Sequence, residues 1–277
     1  MNEPAPDAHA ARSYDAWHTR WLDAASRWPG LLIEVLGSVG PPPAPLPLLS
    51  VRISSTDPDR TPRRVAITAG IHGDEPAGVE AVTQLLETPR EWAPLLAPFD
   101  VTIFPCANPT GFTRNHRTNG DGIDLNRTFD QVHPPSETAW IKARIAPDGV
   151  HGAFDAAIEL HEDSDGEGFY LYELAEGPPY VGDHVVEAVT SFVAIDPRPL
   201  IEGFPAKRGV IRFDPGTLPA APSDGWPQAL YSFRAGIATC LTLETPSTRL
   251  PIERRADILL AALKAALANH GRWSAAR

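Results

Sequence analysis

Apolar, strand-like runs alternate with stretches of helical periodicity through most of this chain, and that alternation narrows the fold more than any other feature. Residues 65–69 read as a strand, 77–86 as a helix with Pro76 near its first turn, and 101–106 as a second strand. A long polar loop over 108–133 and a helix over 136–145 follow, then strands at 156–161 and 169–174. A helix over 181–193, a last strand at 237–243 and an amphipathic helix at 253–269 complete the pattern. Strands separated by helices predict an α/β fold: a mostly parallel, twisted mixed sheet with helices on both faces.

The N-terminal part reads differently. Residues 13–28 carry Tyr14, Trp17, Trp21, Leu22, Ala25 and Trp28 at helical spacing, and Pro29-Gly30 ends that helix. Strands at 31–36 and 46–53 flank a proline-rich connector, 41–45, that reads as a surface loop. The chain holds 30 prolines, which demand many stiff connections, and the proline- and glycine-rich stretch 196–228 reads as an extended excursion. No repeat and no sharp compositional boundary divides the 277 residues. A single catalytic domain over 1–277 is expected, with an N-terminal helix-and-strand extension of about residues 1–60.

The charge is −11 with histidines neutral, so the surface repels phosphate backbones and anionic lipid; nucleic-acid and membrane partners are not expected. No run approaches the roughly 18 apolar residues that span a bilayer. The N-terminal residues show no basic region followed by an apolar one, so a cytoplasmic location is expected. The two cysteines, Cys106 and Cys240, sit in apolar runs and read as core residues rather than as a disulfide framework.

Ligands of open α/β sheets bind beyond the carboxyl ends of the strands. There the first strand of the alternating region runs into Gly70-Ile71-His72-Gly73-Asp74-Glu75, the third into Glu159-Leu160-His161-Glu162-Asp163, and the last into Leu243-Glu244-Thr245-Pro246. The second opens a loop with Arg114, Arg117, Asn126 and Arg127. His72, Glu75 and His161 supply two imidazoles and a carboxylate, the ligand set of a catalytic zinc with one position left open. Glu244 is the candidate general base, and Arg117 is placed to face a developing oxyanion. Guanidinium and amide groups at Arg127 and Asn126 suit a carboxylate.

Together, His72-Gly73-Asp74-Glu75, Asn108-Pro109-Thr110-Gly111, Asp124-Leu125-Asn126-Arg127, Glu159-Leu160-His161 and Thr242-Leu243-Glu244 resemble, in order, the motifs of the zinc carboxypeptidase (M14-type) superfamily. The flavour is closest to its murein peptide amidase and succinylglutamate desuccinylase–aspartoacylase branches. The resemblance implies one Zn2+ held by His72, Glu75 and His161, with Glu244 activating the attacking water. It further implies Arg117 polarising the scissile carbonyl, Asn126 and Arg127 gripping a free carboxylate, and Glu159 as a support behind the ligands. The implied substrate is a small peptide or acylated amino acid with a free carboxylate. The implied reaction is amide hydrolysis of carboxypeptidase or γ-glutamyl-diaminopimelate amidase type. N-acyl amino acid deacylation and a non-catalytic carboxylate-binding module are the alternatives. Arg114 fits the role of Arg117 less well by its spacing. The oligomeric state is left open.

Two departures stand out. The family's peptidases place a tyrosine before the general base, but none occurs between Tyr180 and Tyr231; either Tyr231 serves from an altered loop or the role is absent. The turn Glu162-Asp163-Ser164-Asp165-Gly166-Glu167 is unusually acidic. It is no EF-hand, since the twelfth residue from Asp163 is Leu174. A solvated turn, selection of a cationic group on the substrate, and a second metal all stay open for it.

Overall fold

The computed structural model describes residues 12–146, 149, 153–218, 222–248 and 250–273. The N-terminal segment that reads as lacking a secretion signal lies largely outside them, as do residues 219–221 of the excursion.

Ten strands and eight α-helices follow one another among the described residues. The chain runs through α1 (Tyr14–Ala25), β1 (Leu32–Val39), β2 (Leu46–Ile53), β3 (Arg63–Ala69), α2 (Pro76–Glu87), α3 (Pro89–Leu96) and β4 (Phe99–Phe104). It continues with α4 (Pro109–Arg114), α5 (Ser136–Ile145), β5 (Ala156–Asp163), β6 (Tyr170–Ala175) and α6 (Gly182–Val189). The last part holds β7 (Leu200–Ile201), β8 (Phe204–Pro205), β9 (Val210–Phe213), α7 (Gln228–Arg234), β10 (Thr239–Pro246) and α8 (Ile252–Ala268). Eight strands form one sheet in the order β1-β2-β4-β3-β5-β10-β6-β9, and β7 and β8 make a small separate ribbon.

The four inner strands, β4, β3, β5 and β10, are all parallel. Their carboxyl ends therefore emerge on one edge of the sheet. The flanking strands β2 and β6 join antiparallel, and β9 is parallel to β6. The mixed, centrally parallel sheet is the one expected from the alternating pattern. Strand β5, Ala156 to Glu162, is buried along its length, as a strand covered on both faces must be.

Alternate residues along the strands enter different cores. Val65, Ile67, Ile158, Leu160, Leu241 and Leu243 pack with α1, α2, α3, α6 and α8 on one face. Ala66, Ala157 and Cys240 pack with Ile141 and Ile145 of α5 and Phe233 of α7 on the other. Glu159, His161, Thr242 and Glu244 keep the register of Ala157 and Cys240, so they belong to the α5–α7 face. Both cysteines are free and buried.

Several elements differ from the expectation. The polar loop over 108–133 holds α4, because Asn108 caps it through Oδ1 accepting from the Gly111 amide (2.8 Å) with Pro109 at the first position. The excursion is not all extended: β9 adds a sheet strand and α7 begins at Gln228. The last three residues of the helix expected over 13–28 form a turn beyond the Ser26 cap.

Helix α1 is stitched to α2 by specific contacts. The buried Trp21 indole donates to Thr83 Oγ1 at 2.8 Å, Trp28 Nε1 donates to the Leu86 carbonyl at 2.7 Å, and the Arg20 guanidinium forks onto Glu80 and Glu87. Trp21→Ala is expected to cost about 3–5 kcal/mol and to lower the midpoint of a single unfolding transition, followed by circular dichroism in denaturant. A separate early transition with an unchanged main one would instead make the N-terminal part an independent unit.

Candidate active site

The site grows out of the four parallel strand ends. Beyond β3 the chain turns through His72 and Gly73, and a Cβ at Gly73 would land on the Gly111 carbonyl and the Phe112 amide. Glycine thus lets this turn lie directly against α4. Glu75 follows at the entry to α2. From β5 comes His161, whose register neighbour on β10 is Glu244.

Glu75 is the hub. Its Oε1 lies 2.6 Å from His72 Nδ1, and its Oε2 lies 2.8 Å from His161 Nδ1 and accepts from the Glu162 amide at 3.1 Å. Burial would raise this carboxyl, but the two imidazoles outweigh it and hold it at about 2. His161 is raised in turn: burial opposes protonation, and Glu75 and Glu159 overcome it. His72, Glu75 and His161 each offer an atom within 4.8 Å of the others, a set able to hold one metal ion. The far nitrogen of each ring looks toward an acid, His72 Nε2 to Asp124 Oδ1 at 3.3 Å and His161 Nε2 to Glu159 Oε2 at 3.6 Å. Buried imidazoles backed by carboxylates fit a metal-ligating role, since such partners fix the ring and raise its basicity.

The arginine loop closes over this hub. Asp124 caps a short 3-10 turn, Leu125–Arg127, by accepting from the Asn126 amide at 2.9 Å. Its other oxygen accepts from Arg117 Nε at 2.9 Å, and Arg117 Nη1 stands 3.6 Å from Glu75 Oε1. Asn126 Oδ1 accepts from the Gln228 amide at 2.8 Å, and Arg127 Nε donates to Asp224 Oδ2 at 2.8 Å. Glu244 sits where burial, against the pull of His161 and with the push of Glu75 and Asp163, raises its carboxyl to about 8.

All seven residues singled out in the sequence, His72, Glu75, Arg117, Asn126, Arg127, His161 and Glu244, line one cavity of about 470 Å³. Arg114 does not: it donates to the Gly120 carbonyl on another surface. Tyr231 packs against Phe129 on the α5–α7 side and is no part of the lining. The tyrosines that do line it, Tyr170 and Tyr172, lie on β6 opposite Glu244 and Thr242. No local signal in the sequence pointed to them, because they reach the cavity through the pairing of β6 with β10. The acidic turn divides. The Glu162 side chain is tied to the Ala77 amide and Arg255 of α8, whereas that of Asp163 accepts from Tyr170 Oη; both residues line the cavity with Asp165. Among the described residues no second metal-binding cluster accompanies the first.

Residues 61–188, just under half of the chain, match the family model of the succinylglutamate desuccinylase/aspartoacylase catalytic domain. Over that span the chain is similar to this family. Solved structures share its fold. A candidate metallopeptidase from Shewanella denitrificans OS217 superposes with a TM-score of 0.71 at 22% identity, covering 96% of this chain and 98% of that one. A metallo-carboxypeptidase from Burkholderia cenocepacia gives 0.66 at 19% identity, over 94% and 70% of the two chains. One from Pseudomonas aeruginosa, in complex with (2-guanidinoethylmercapto)succinic acid, gives 0.64 at 17% identity, over 94% and 70%. No curated protein sequence matches this chain. Among the described residues no helix is long and apolar enough to cross a membrane.

If a metal ion sits on the His72-Glu75-His161 set, Asp124→Ala is expected to weaken its binding about 10–100-fold, read by competition with a chromophoric chelator. An unchanged affinity would leave Asp124 as an anchor for Arg117 alone.

Proposed function

We propose that this chain is a zinc-dependent hydrolase cleaving an amide bond next to a free carboxylate, of carboxypeptidase or γ-glutamyl-diaminopimelate amidase type. The observation that carries the reading is one cavity in which a two-histidine, one-carboxylate donor set faces Glu244 and two arginines. Two imidazoles with one carboxylate suit zinc better than magnesium or calcium, which favour all-oxygen sites. Among the described residues the donors number three, the arrangement of a catalytic rather than a structural site.

When bound there, zinc supplies Lewis acidity to the substrate carbonyl and acidifies the attacking water. Arg127 and Asn126 hold the substrate's carboxylate; Arg127 already donates through Nε to a carboxylate, that of Asp224. Arg117, anchored by Asp124 through Nε, keeps its Nη groups for the oxygen of the carbonyl under attack. Glu244 takes a proton from the water and returns it to the leaving amine. The Pseudomonas aeruginosa neighbour, seen with a substituted succinic acid, supports a carboxylate-bearing ligand for this cavity too.

A second reading, N-acyl amino acid deacylation, is favoured by the match to the desuccinylase/aspartoacylase catalytic domain. It uses the same residues on the same bond type.

Zinc-loaded protein incubated with peptides bearing free C-termini, γ-D-glutamyl-diaminopimelate peptides and N-acyl amino acids, with products read by mass spectrometry, separates the readings. Glu244→Gln is expected to cut kcat by at least about 10²-fold while retaining stoichiometric zinc. Zinc retention without cleavage of any class would leave a carboxylate-binding module. A mild loss in Glu244→Gln would place the base elsewhere.

A further inference from the structure

The pairing of His72 with Glu75 depends on the turn between them, and that turn is held from the N-terminal part of the chain. Neighbouring segments secure the backbone on either side of it. Asn108 Nδ2 donates to the Ile71 carbonyl at 3.3 Å, and the Ala77 amide donates to the Glu162 side chain. Between these points the His72 carbonyl accepts from the Glu75 amide at 3.3 Å, a long bond. Gly73 stands in this stretch because its close approach to α4 leaves no room for a Cβ. Glycine brings no side chain that could restrain the turn, and its backbone is the most permissive of any residue.

Arg12, just before α1, supplies a restraint from outside. Its Nη1 donates to the Gly73 carbonyl at 2.9 Å and lies 3.5 Å from the Phe112 carbonyl, so one guanidinium spans the turn and the helix beneath it. Arg12 is itself docked. Its amide donates to the Thr113 carbonyl at 3.0 Å, and its guanidinium carbon stands 5.2 Å from the centre of the buried Phe112 ring. Trp17 of α1 meets the same ring edge-on at 5.8 Å. Burial draws the Arg12 pKa down, and the carboxylate of Asp74, in the same turn, counters it. A hydrogen bond from a charged donor is stronger than one between neutral groups. Metal–ligand distances keep within about 0.2 Å of their ideal values, so a turn free to shift would spoil His72 and Glu75 as co-ligands.

We propose that Arg12 is a positioning residue for the His72-Glu75-His161 set, gripping the Gly73 carbonyl and thereby fixing the turn that sets His72 against Glu75. The N-terminal part is then a working component of the site. Helix α1 is fastened to α2 through Trp21 and Arg20, and Arg12 carries that attachment forward to the turn. The inference rests on the reading of this set as a metal site and deepens it.

The test compares the parent protein with two variants. Arg12→Met keeps an aliphatic stem over Phe112 and removes the charged donor; Arg12→Lys restores a charged donor. Zinc affinity is read by competition with a chromophoric chelator, and ligand geometry by the visible absorption of the Co2+-loaded protein. Stability is read by denaturant unfolding of the zinc-free protein. Arg12→Met is expected to weaken zinc about ten-fold or more and to alter the cobalt bands, with the zinc-free unfolding midpoint nearly unchanged. Arg12→Lys is expected to show parent-like cobalt bands and an affinity within about threefold of the parent. Parent-like zinc affinity and cobalt bands in Arg12→Met overturn the assignment. A fold lost in Arg12→Met, zinc weakened only in step with zinc-free stability, or no recovery in Arg12→Lys makes Arg12 a structural residue and overturns it as well. A parent protein that binds no zinc overturns the metal reading itself, a failure distinct from these.

Discussion

The buried carboxylate of Glu75 is the interaction on which the site depends. Taking it out of water is costly, and the cost is met by contacts from two different strand ends: His72 from the turn after β3, and His161 with the Glu162 amide from β5. Glu162 returns the link, its side chain accepting from the Ala77 amide at the start of α2 and from Arg255 of α8. Two carboxylates thus tie neighbouring strand ends to the helices behind them. Each is satisfied only if the parallel register of β3 and β5 is kept, so the site geometry and the sheet register enforce one another.

How much of this was legible in the sequence follows from where each residue sits. His72, Glu75, His161 and Glu244 stand at the ends of long, well-patterned strands, and parallel pairing must bring such ends to one edge. The 3-10 turn carrying Asn126 and Arg127 is local, capped by Asp124 within its own motif. Tyr170 and Tyr172 were hidden for the opposite reason. They reach the cavity because β6 pairs antiparallel with β10, a partner some seventy residues away, and nothing local announces that pairing. Strand β9 and the ribbon of β7 and β8 were obscured by prolines and glycines that suppress a strand pattern. Glu159 could be read as an acid near a ligand, and the structure sets its Oε2 3.6 Å from the far nitrogen of the His161 ring.

The two arginines show how the fold keeps cationic groups ready in a cavity meant for a charged ligand. Arg117 is anchored through Nε by Asp124, which also backs His72, so its position is coupled to that of the imidazole. Arg127 is held from outside by Asp224, which is 64% exposed on its side chain. Gly225 makes that contact fit: its φ of +110° and the nearby Arg127 carbonyl leave no room for a Cβ. An ion pair so open to water contributes little to stability. Asp224 therefore keeps the Arg127 fork oriented while remaining easy to displace. On the function proposed here, a substrate carboxylate desolvated within the cavity and joined by the donors of Asn126 would offer the stronger pairing. The exposed pair orients the guanidinium, and the exchange of one carboxylate for another leaves the charge balance of that wall unchanged.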